Sequence, residues 1–469
     1  MKPSGIQAYT RPDSCPPQRP RLEDMSPQTV ELHRAVDDAM KRTGRPYLNP
    51  DGETLQLDLM GARRMIAWQE GKAQRTFEGE RCWSDLPQVY ARYGTETTRK
   101  LLHHVLDWEQ AKAAVVTDCG MQACALLFDV LVKPKQHAVI MRQVYNKTKK
   151  YLERLCDLVG ASYTVVDDGD YDALERALRA ETCLIFAETF TNPLMRAVDP
   201  DRLGTLVTEA RNTKCRRLRL VIDSTIATPW ALRKPLLSYP GVDFVVVSGT
   251  KALAGSDRDL WGYIASNQVD LLNEVMDLQA MRGGILDWRR AQAILDGIDD
   301  ARSKYSARCE TARKVAAFLQ NHPRVSEVYH PSLPSHPDRD AIERCYTLEG
   351  SLLSFRVAGA SEDEGRDFCD VLATTIVPRY ALSFDGLTTK LNHHLTVSEY
   401  FTPVEELRRA GIDRLVRLGI GLEHADDIVS CLNWALWRHQ AISRDEVEKW
   451  QDARARELGI YTTDGDEDS

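Results

Sequence analysis

Residues 244–251, Phe-Val-Val-Val-Ser-Gly-Thr-Lys, decide the fold of this chain. Four consecutive apolar residues, three of them β-branched, predict a strand that is buried on both faces and ends in Ser248, Thr250 and Lys251. A lysine amine at the end of a buried strand is poorly solvated, which lowers its pKa toward neutrality and suits Schiff-base chemistry. The two hydroxyls could donate hydrogen bonds to a phosphate, so the pattern indicates a site for pyridoxal phosphate (PLP). The alternative is that Lys251 simply extends into water.

A second buried-strand pattern, Leu218-Arg-Leu-Val-Ile-Asp223, ends 28 residues before Lys251. This separation leaves room for a crossover connection, so we expect the two strands to be parallel neighbours. A carboxylate at Asp223 could keep the pyridine nitrogen of PLP protonated and thereby let the ring accept electrons. Taken alone, Asp223 could instead be a turn or helix-cap aspartate.

Asp-x-Thr-x-x-x-Pro at 223–229, followed by Ser-x-Thr-Lys at 248–251, resembles the Cys/Met-metabolism PLP enzymes, the fold type I family of cystathionine γ-synthase, γ-lyase and β-lyase. The resemblance implies an α/β fold with a mostly parallel sheet in a large domain and a smaller C-terminal α/β domain. We expect five segments along the chain: a disordered N-terminus at 1–25, a helical extension at 26–84, a large PLP-binding domain at 85–301, a small domain at 302–460 and an acidic tail at 461–469.

Further motifs of the family follow in order between about residues 85 and 435. The resemblance implies catalytic roles for Lys251, Tyr145 and Asp223. It implies that the cofactor is bound by Tyr90, Arg92, Gly120, Met121, Tyr145, Glu188, Asn192, Asp223, Thr225, Ser248, Thr250 and Lys251. It implies that the substrate is bound by Ser383, Arg417, Lys147 and Thr389. In the family, the equivalents of Tyr90 and Arg92 reach the cofactor phosphate of a neighbouring subunit. Without the family, Arg92 would be interpreted as a surface charge. Tyr145 could instead be a tyrosine packed in the core, and Arg417 could instead form a structural salt bridge.

The residues around the expected substrate depart from the family pattern. Thr95 and Glu96 replace Asn-Pro, Lys147 replaces a small residue, Leu382 replaces a glutamate and Asp385 replaces a glycine. Lys147 could recognise an acidic substituent at the distal end of the substrate or could point to solvent. These changes predict an unusual amino-acid substrate.

Composition limits the other classes of function. The chain has 469 residues, of which 43% are hydrophobic and 28% charged, with a net charge of −8. This balance gives no basic field for nucleic acid or anionic membrane, and we expect a cytoplasmic enzyme without a membrane span. The 11 cysteines include no C-x-x-C, and no ligand spacing supports a metal, so we predict neither disulfides nor a metal site.

We therefore predict a PLP-dependent lyase or transferase that carries out γ-elimination or γ-replacement on a free L-amino acid in specialised amino-acid or sulfur-amino-acid metabolism. The alternatives are β-elimination, as in a C–S lyase, and a catalytically silent PLP-fold partner protein. A nucleotide-binding enzyme is disfavoured because neither G-x-G-x-x-G nor G-x-x-x-x-G-K-[ST] occurs. Shared phosphate contacts predict a homodimer with shared active sites, and the family implies a homotetramer.

Overall fold

The computed structural model describes residue 19 and residues 21–43, 60–67, 90–399 and 402–460. Most of segment 1–25, much of the extension 26–84 and all of the tail 461–469 therefore lie outside the described residues. Within the extension, helix α1 (Pro27–Thr43) begins where the Ser26 hydroxyl accepts a hydrogen bond from the backbone N–H of Thr29, at 3.4 Å. None of the described helices is long and apolar enough to cross a membrane.

The described residues form two sheets, and the larger of them has seven strands. They are β1 (Ala113–Thr117), β2 (His137–Met141), β3 (Ser162–Val166), β4 (Thr182–Glu188), β5 (Arg219–Asp223), β6 (Val242–Val247) and β7 (Gly262–Ser266). Their spatial order is β1-β7-β6-β5-β4-β2-β3, and only β7 runs antiparallel to its neighbours. The predicted mostly parallel sheet is confirmed, and so is the parallel pairing of the strands that lead to Asp223 and Lys251.

Seven helices accompany this sheet. They are α2 (Glu96–Glu109), α3 (Gly120–Leu131), α4 (Asn146–Val159), α5 (Tyr171–Ala177), α6 (Pro200–Thr213), α7 (Val269–Arg282) and α8 (Trp288–Leu295). Their apolar residues and those of the strands form one continuous hydrophobic core. Every residue of β6 is buried, which explains why that strand is almost entirely apolar instead of alternating.

The second sheet has five strands in the order β10-β11-β12-β9-β8. They are β8 (Val325–Tyr329), β9 (Leu352–Val357), β10 (Arg379–Tyr380), β11 (Lys390–His393) and β12 (Val416–Gly419). Seven further helices follow in this part of the described chain: α9 (Ile298–Gln320), α10 (Arg339–Cys345), α11 (Glu362–Ala373), α12 (His394–Val397), α13 (Val404–Ala410), α14 (Ala425–Arg438) and α15 (Arg444–Leu458). This part of the chain has its own hydrophobic core.

Helix α9 connects the two cores. Tyr305 and Cys309, in its first half, pack in the core of the larger sheet, whereas Val315 and Leu319, in its second half, pack in the core of the smaller one. The predicted domain boundary at residues 301–302 falls inside this helix. One continuous helix therefore contributes buried residues to both cores.

The strands of the larger sheet bring polar residues to one edge. Strands β4, β5 and β6 are parallel, and Glu188 lies opposite Asp223 at their carboxyl ends. Strand β1 pairs antiparallel with β7, which pairs antiparallel with β6, so β1 also ends at this edge, just before Gly120. The carboxyl edge of a parallel sheet is where ligands bind in α/β proteins.

We predict that Gly204→Ala destabilises the fold. Helix α6 packs backbone to backbone on the turn before β6, and a Cβ at residue 204 would lie 1.8 Å from the carbonyl oxygen of Pro240. Overpacking of this kind costs about 2 kcal/mol even after the gain in helix propensity, and urea unfolding of the apoprotein measures it.

Gly297→Ala is the matched control, because the nearest atom to its new methyl would be 3.9 Å away. Its free energy of unfolding should stay within about 0.5 kcal/mol of the unmodified protein. Equal stabilities for the two variants would contradict the close packing of α6.

Candidate active site

Lys251 lies in the turn that follows β6, at the carboxyl edge of the larger sheet. Its Nζ donates a hydrogen bond to Ser383 Oγ at 2.8 Å and lies 5.0 Å from the ring centroid of Phe384. Burial lowers the pKa of the Lys251 amine to about 8, and the nearby Arg417 guanidinium contributes in the same direction. A substantial fraction of the amine is therefore neutral, and nucleophilic, at slightly basic pH.

Two carboxylates stand side by side at the ends of β4 and β5. Glu188 is buried and Asp223 is partly buried, and neither forms an ion pair within the described part of the chain. Burial raises the pKa of Asp223 to about 6, and burial together with the charge of Asp223 raises the pKa of Glu188 well above its ordinary value. The sheet edge thus carries negative charge that lacks a cation.

Thr225 fixes the end of β5 against the end of β6. Its backbone N–H donates to Asp223 Oδ1 at 2.8 Å, and its hydroxyl accepts from the backbone N–H of Ser248 at 2.8 Å. The carboxylate of Asp223 is thereby oriented by the residue that also positions the segment leading to Lys251.

A backbone cradle forms where helix α3 begins. A Cβ added to Gly120 would lie 2.5 Å from Ser248 Cβ, so only glycine lets this turn approach Ser248 so closely. The first N–H groups of α3, at Gly120 and Met121, have no acceptor within the helix and favour an anion. The Thr250 hydroxyl donates to the carbonyl of Trp261 at 3.2 Å and accepts from its N–H at 3.1 Å.

Arg417 lies on β12 of the smaller sheet and is 3% exposed. Its guanidinium donates to Asn192 Oδ1 at 3.2 Å and to the carbonyl of Leu382 at 3.1 Å. Burial lowers the pKa of Arg417 to about 10, and no carboxylate among the described residues pairs with it. A buried cation without a counter-ion is costly, so the position favours an anionic ligand.

Tyr145 stands between these groups. Its backbone N–H donates to Glu188 Oε1 at 2.6 Å, and its side chain is 47% exposed. Burial raises the pKa of its phenol, and Arg417 partly opposes this rise. The ring therefore lies near both the carboxylates and the guanidinium.

The other predicted residues occupy different surroundings. Thr389 is fully buried, and its hydroxyl donates to Glu423 Oε2 at 2.8 Å and accepts from the N–H of Gly421 at 3.0 Å. Lys147 is exposed in the first turn of α4. Arg92 is exposed, with its guanidinium 4.7 Å from the ring centroid of Tyr90, on a turn next to α7.

The structure therefore brings together most of the predicted residues. Gathered at one edge are Gly120, Met121, Tyr145, Glu188, Asn192, Asp223, Thr225, Ser248, Thr250, Lys251, Ser383 and Arg417. Tyr90 and Arg92 share no hydrogen bond with this group within the described residues. Their assigned roles remain predictions.

Sequence reasoning missed Arg308, which is fully buried and donates to the carbonyls of Gly255 at 2.8 Å and Gly386 at 3.0 Å. Both acceptors lie in loops that flank Lys251 and Ser383. A signal was present, because Arg308 falls three residues after Tyr305 and so lies on the apolar stripe of its helix.

Comparisons with known proteins agree with this geometry. The family model described as Cys/Met metabolism PLP-dependent enzyme matches residues 72–437. Cystathionine gamma-synthase 1, chloroplastic, of Arabidopsis thaliana is 32% identical over 349 residues, which is 74% of this chain, and the chain spans only 60% of that relative. The L-methionine gamma-lyase of Fusobacterium nucleatum subsp. polymorphum is 30% identical over 74% of this chain and 86% of the relative.

Two further similarities cover most of both proteins. The cystathionine beta-lyase of Bacillus subtilis is 30% identical over 72% of this chain and 83% of the relative. The crystal structure of cystathionine gamma synthase from Xanthomonas oryzae pv. oryzae in complex with cystathionine matches with a TM-score of 0.69 and 27% identity, over 76% of this chain and 88% of that one.

We predict that Asp223→Asn stabilises the apoprotein at pH 8. The folded pKa of Asp223, about 6, lies above its ordinary value of 3.8, so the folded state holds its proton more tightly than the unfolded chain. The free energy of unfolding of the unmodified apoprotein therefore decreases as pH rises from about 4 to about 6, and it stays at the lower value above pH 6. The neutral amide of Asp223→Asn keeps an acceptor for the Thr225 N–H and has no charge to bury. We therefore expect the free energy of unfolding to increase by about 1 to 2 kcal/mol at pH 8 and to change little at pH 4.

Urea unfolding at both pH values measures this difference. Asp172→Asn is the control, because the side chain of Asp172 is 82% exposed, and its stability should change by less than about 0.5 kcal/mol. An Asp223→Asn apoprotein that is less stable than the unmodified one at pH 8 would refute the assignment of uncompensated charge.

Proposed function

Because the chain belongs to the Cys/Met metabolism family of PLP-dependent enzymes, we propose that it catalyses γ-elimination or γ-replacement on a free L-amino acid with a γ-leaving group. The cofactor, when bound, supplies an electron sink for the bonding pair released at the substrate Cα. The described residues of this chain provide the groups that bind the reactants and move protons around that centre.

The sheet edge fits the cofactor. In this proposal, Asp223 pairs with the protonated ring nitrogen, and Glu188 supports it from the neighbouring strand. The uncompensated charge of these carboxylates supports the assignment, because a cationic ring nitrogen would supply the missing partner. The N–H groups of Gly120 and Met121, with the Ser248 hydroxyl, would bind the phosphate at the start of α3, where glycine lets the turn approach Ser248 closely.

Lys251 is proposed to hold the cofactor and then, once a substrate amine has displaced it, to take the proton from Cα. Its lowered pKa supports both tasks, because a neutral amine is the form that attacks a carbonyl carbon and accepts a proton. Ser383 accepts a hydrogen bond from Nζ and so keeps the amine directed into the cleft. Tyr145 is proposed to stack on the cofactor ring and to exchange a proton with the leaving group.

The proposal that the substrate is an amino acid rests mainly on Arg417. Its guanidinium is buried, lacks a carboxylate partner among the described side chains and lies close enough to Lys251 to lower the pKa of that amine. A planar guanidinium can donate two parallel hydrogen bonds to a carboxylate. We infer that it binds the α-carboxylate and thereby places Cα within reach of Lys251.

The relatives support two candidate reactions. The similar proteins of Arabidopsis and Fusobacterium carry names of γ-chemistry, which favours γ-elimination or γ-replacement here. The similarity to the cystathionine beta-lyase of Bacillus subtilis supports β-elimination as the second candidate. Exposed Lys147, in the first turn of α4, is proposed to bind an acidic group at the distal end of the substrate. Leu382, also exposed, stands where the family pattern has a glutamate, so that negative charge is absent from this position.

The products of a substrate panel test this function. We expect the PLP-loaded protein to convert a homoserine ester to 2-oxobutanoate and ammonia, and to use an acidic ester in preference to a neutral one. The α-carboxamide of the same ester is the control, and because it cannot form the bidentate pair with Arg417 we expect kcat/KM to fall by about 10- to 100-fold. If cystathionine gave pyruvate and no ester gave 2-oxobutanoate, the reaction would be β-elimination and not γ-elimination. Equal use of acid and amide would contradict the role of Arg417.

We further propose a homodimer with shared active sites, which can pair into a tetramer, and a cytoplasmic location. The exposed guanidinium of Arg92 lies over the Tyr90 ring and, within the described residues, forms no hydrogen bond with the Lys251 cluster, which supports a contact with the phosphate of a second subunit. All nine described cysteines are free thiols, which supports a reducing compartment.

We expect Arg92→Ala to weaken PLP binding by at least tenfold, because a charge-assisted hydrogen bond to phosphate contributes about 1.5–3 kcal/mol. Fluorescence titration of the apoprotein measures the dissociation constant. Arg99→Ala, a nearby arginine on α2, is the control and should leave it within twofold. An unchanged constant for Arg92→Ala would argue against the shared site.

A further inference from the structure

Arg308 is the largest fully buried charged side chain of the described residues. It lies on α9 at the point where this helix passes from one hydrophobic core to the other, between Cys309 and Tyr305 in the first core and Ala312 in the second. Burying an arginine costs free energy unless it is paired and hydrogen-bonded, so its position needs a physical reason.

The hydrogen bonds of Arg308 join two loops from different sheets. Its Nη2 donates to the carbonyl of Gly255, four residues after Lys251, and its Nε donates to the carbonyl of Gly386, three residues after Ser383. A guanidinium can donate to both loops at once because its N–H groups point in fixed directions within one plane. Arg308 therefore ties the loop that carries Lys251 to the loop that carries Ser383.

Two further contacts cross the same gap. The Lys251 amine bonds Ser383 Oγ, and Asp257, from the first loop, forms an ion pair with Lys390 and accepts from the backbone N–H of Leu387 at 3.3 Å. The fit is tight, because a Cβ on Gly386 would lie 1.8 Å from Asp257 Oδ2. The loops thus meet over several residues and leave little freedom for Lys251.

Asp385 supplies the opposite charge. Its carboxylate is 1% exposed and bonds the Ser351 hydroxyl, and the charges of Arg308, Lys251 and Lys390 oppose the rise that burial causes in its pKa. One oxygen of Asp385 and Nη1 of Arg308 have no hydrogen-bond partner among the described atoms. Asp385 stands where the family resemblance expected glycine, and it places a buried anion in the loop that Arg308 holds.

We propose that Arg308 is a positioning residue for Lys251, with Asp385 as its buried counter-charge. Together they hold the loops of the two sheets in the one arrangement that aims the amine into the cleft. The proposal rests on the proposed function in one respect, that Lys251 is the reactive amine. It adds that the placement of this amine depends on Arg308, in the helix that joins the two cores, and on the charge of Asp385 in the loop that Arg308 holds.

Arg308→Met, Arg308→Lys and the double variant Arg308→Met/Asp385→Asn test the proposal. Arg308→Met removes a positive charge that favours ionised Asp385 and is expected to lose stability, whereas the double variant removes both charges and is expected to recover the unfolding midpoint of the unmodified protein. Even so, the rate at which the apoprotein captures PLP, followed by visible absorption, should fall at least tenfold in the double variant. For the loaded enzyme, kcat should fall by about 10- to 100-fold with KM changed less than threefold, because misplacing a reacting group by about 1 Å has this effect.

Arg308→Lys keeps the charge but cannot reach both carbonyls in one plane, so capture should remain at least threefold slow. Arg313→Met is the matched control on the same helix, since Arg313 bonds Glu349 near the surface, and its capture rate and kcat should stay within twofold. The proposal would be overturned if the PLP capture rate and kcat of the double variant stayed within twofold of those of the unmodified protein. It would also be overturned if Arg313→Met lowered the two rates by as much as the double variant does. Because capture needs no substrate, a protein that captures PLP but turns over none of the panel would contradict the proposed function and leave this test intact.

Discussion

The site of this protein is defined by buried charged groups that have no ion-pair partner among the described residues. Within the described part of the chain, Asp223 and Glu188 lie together at the ends of two strands without a cation, and Arg417 lies buried on the smaller sheet without a carboxylate. Each arrangement costs free energy in the apoprotein, because a low-dielectric site disfavours unpaired charge. A bound cofactor with a cationic ring nitrogen and a substrate with an α-carboxylate would supply both missing partners.

The sequence predicted the framework of the site because that framework is local. A buried strand ending in Lys251 and another ending in Asp223 can be recognised from a few residues each, and the structure confirms that they pair in parallel. Because the carboxyl ends of parallel strands lie at the same edge of a sheet, Asp223 and Lys251 are expected to lie close together there. The motif around Gly120 is similar, since a strand followed by glycine and a helix places backbone N–H groups at the same edge.

The remaining features depend on contacts between distant parts of the chain. The Thr250 hydroxyl is engaged by the backbone of Trp261, and that of Thr389 by Glu423, so the availability of either hydroxyl could not be judged from its own motif. Arg308 acts on two loops that lie 53 and 78 residues away from it. The apolar stripe of α9 indicates that this arginine faces inward, but only the packed structure shows which two loops it joins. The departures from the family pattern were visible in the sequence, but the meaning of Asp385 became clear only beside Arg308.

The most direct test of the account is to locate the covalent attachment point of the cofactor. The protein is loaded with PLP and treated with borohydride, which reduces the linkage to a stable secondary amine, and its proteolytic peptides are then sequenced by mass spectrometry. The account predicts a single pyridoxyl group on Lys251, the lysine whose pKa the site lowers to about 8. Attachment to Lys147 or Lys390 instead, or no attachment at all, would contradict it.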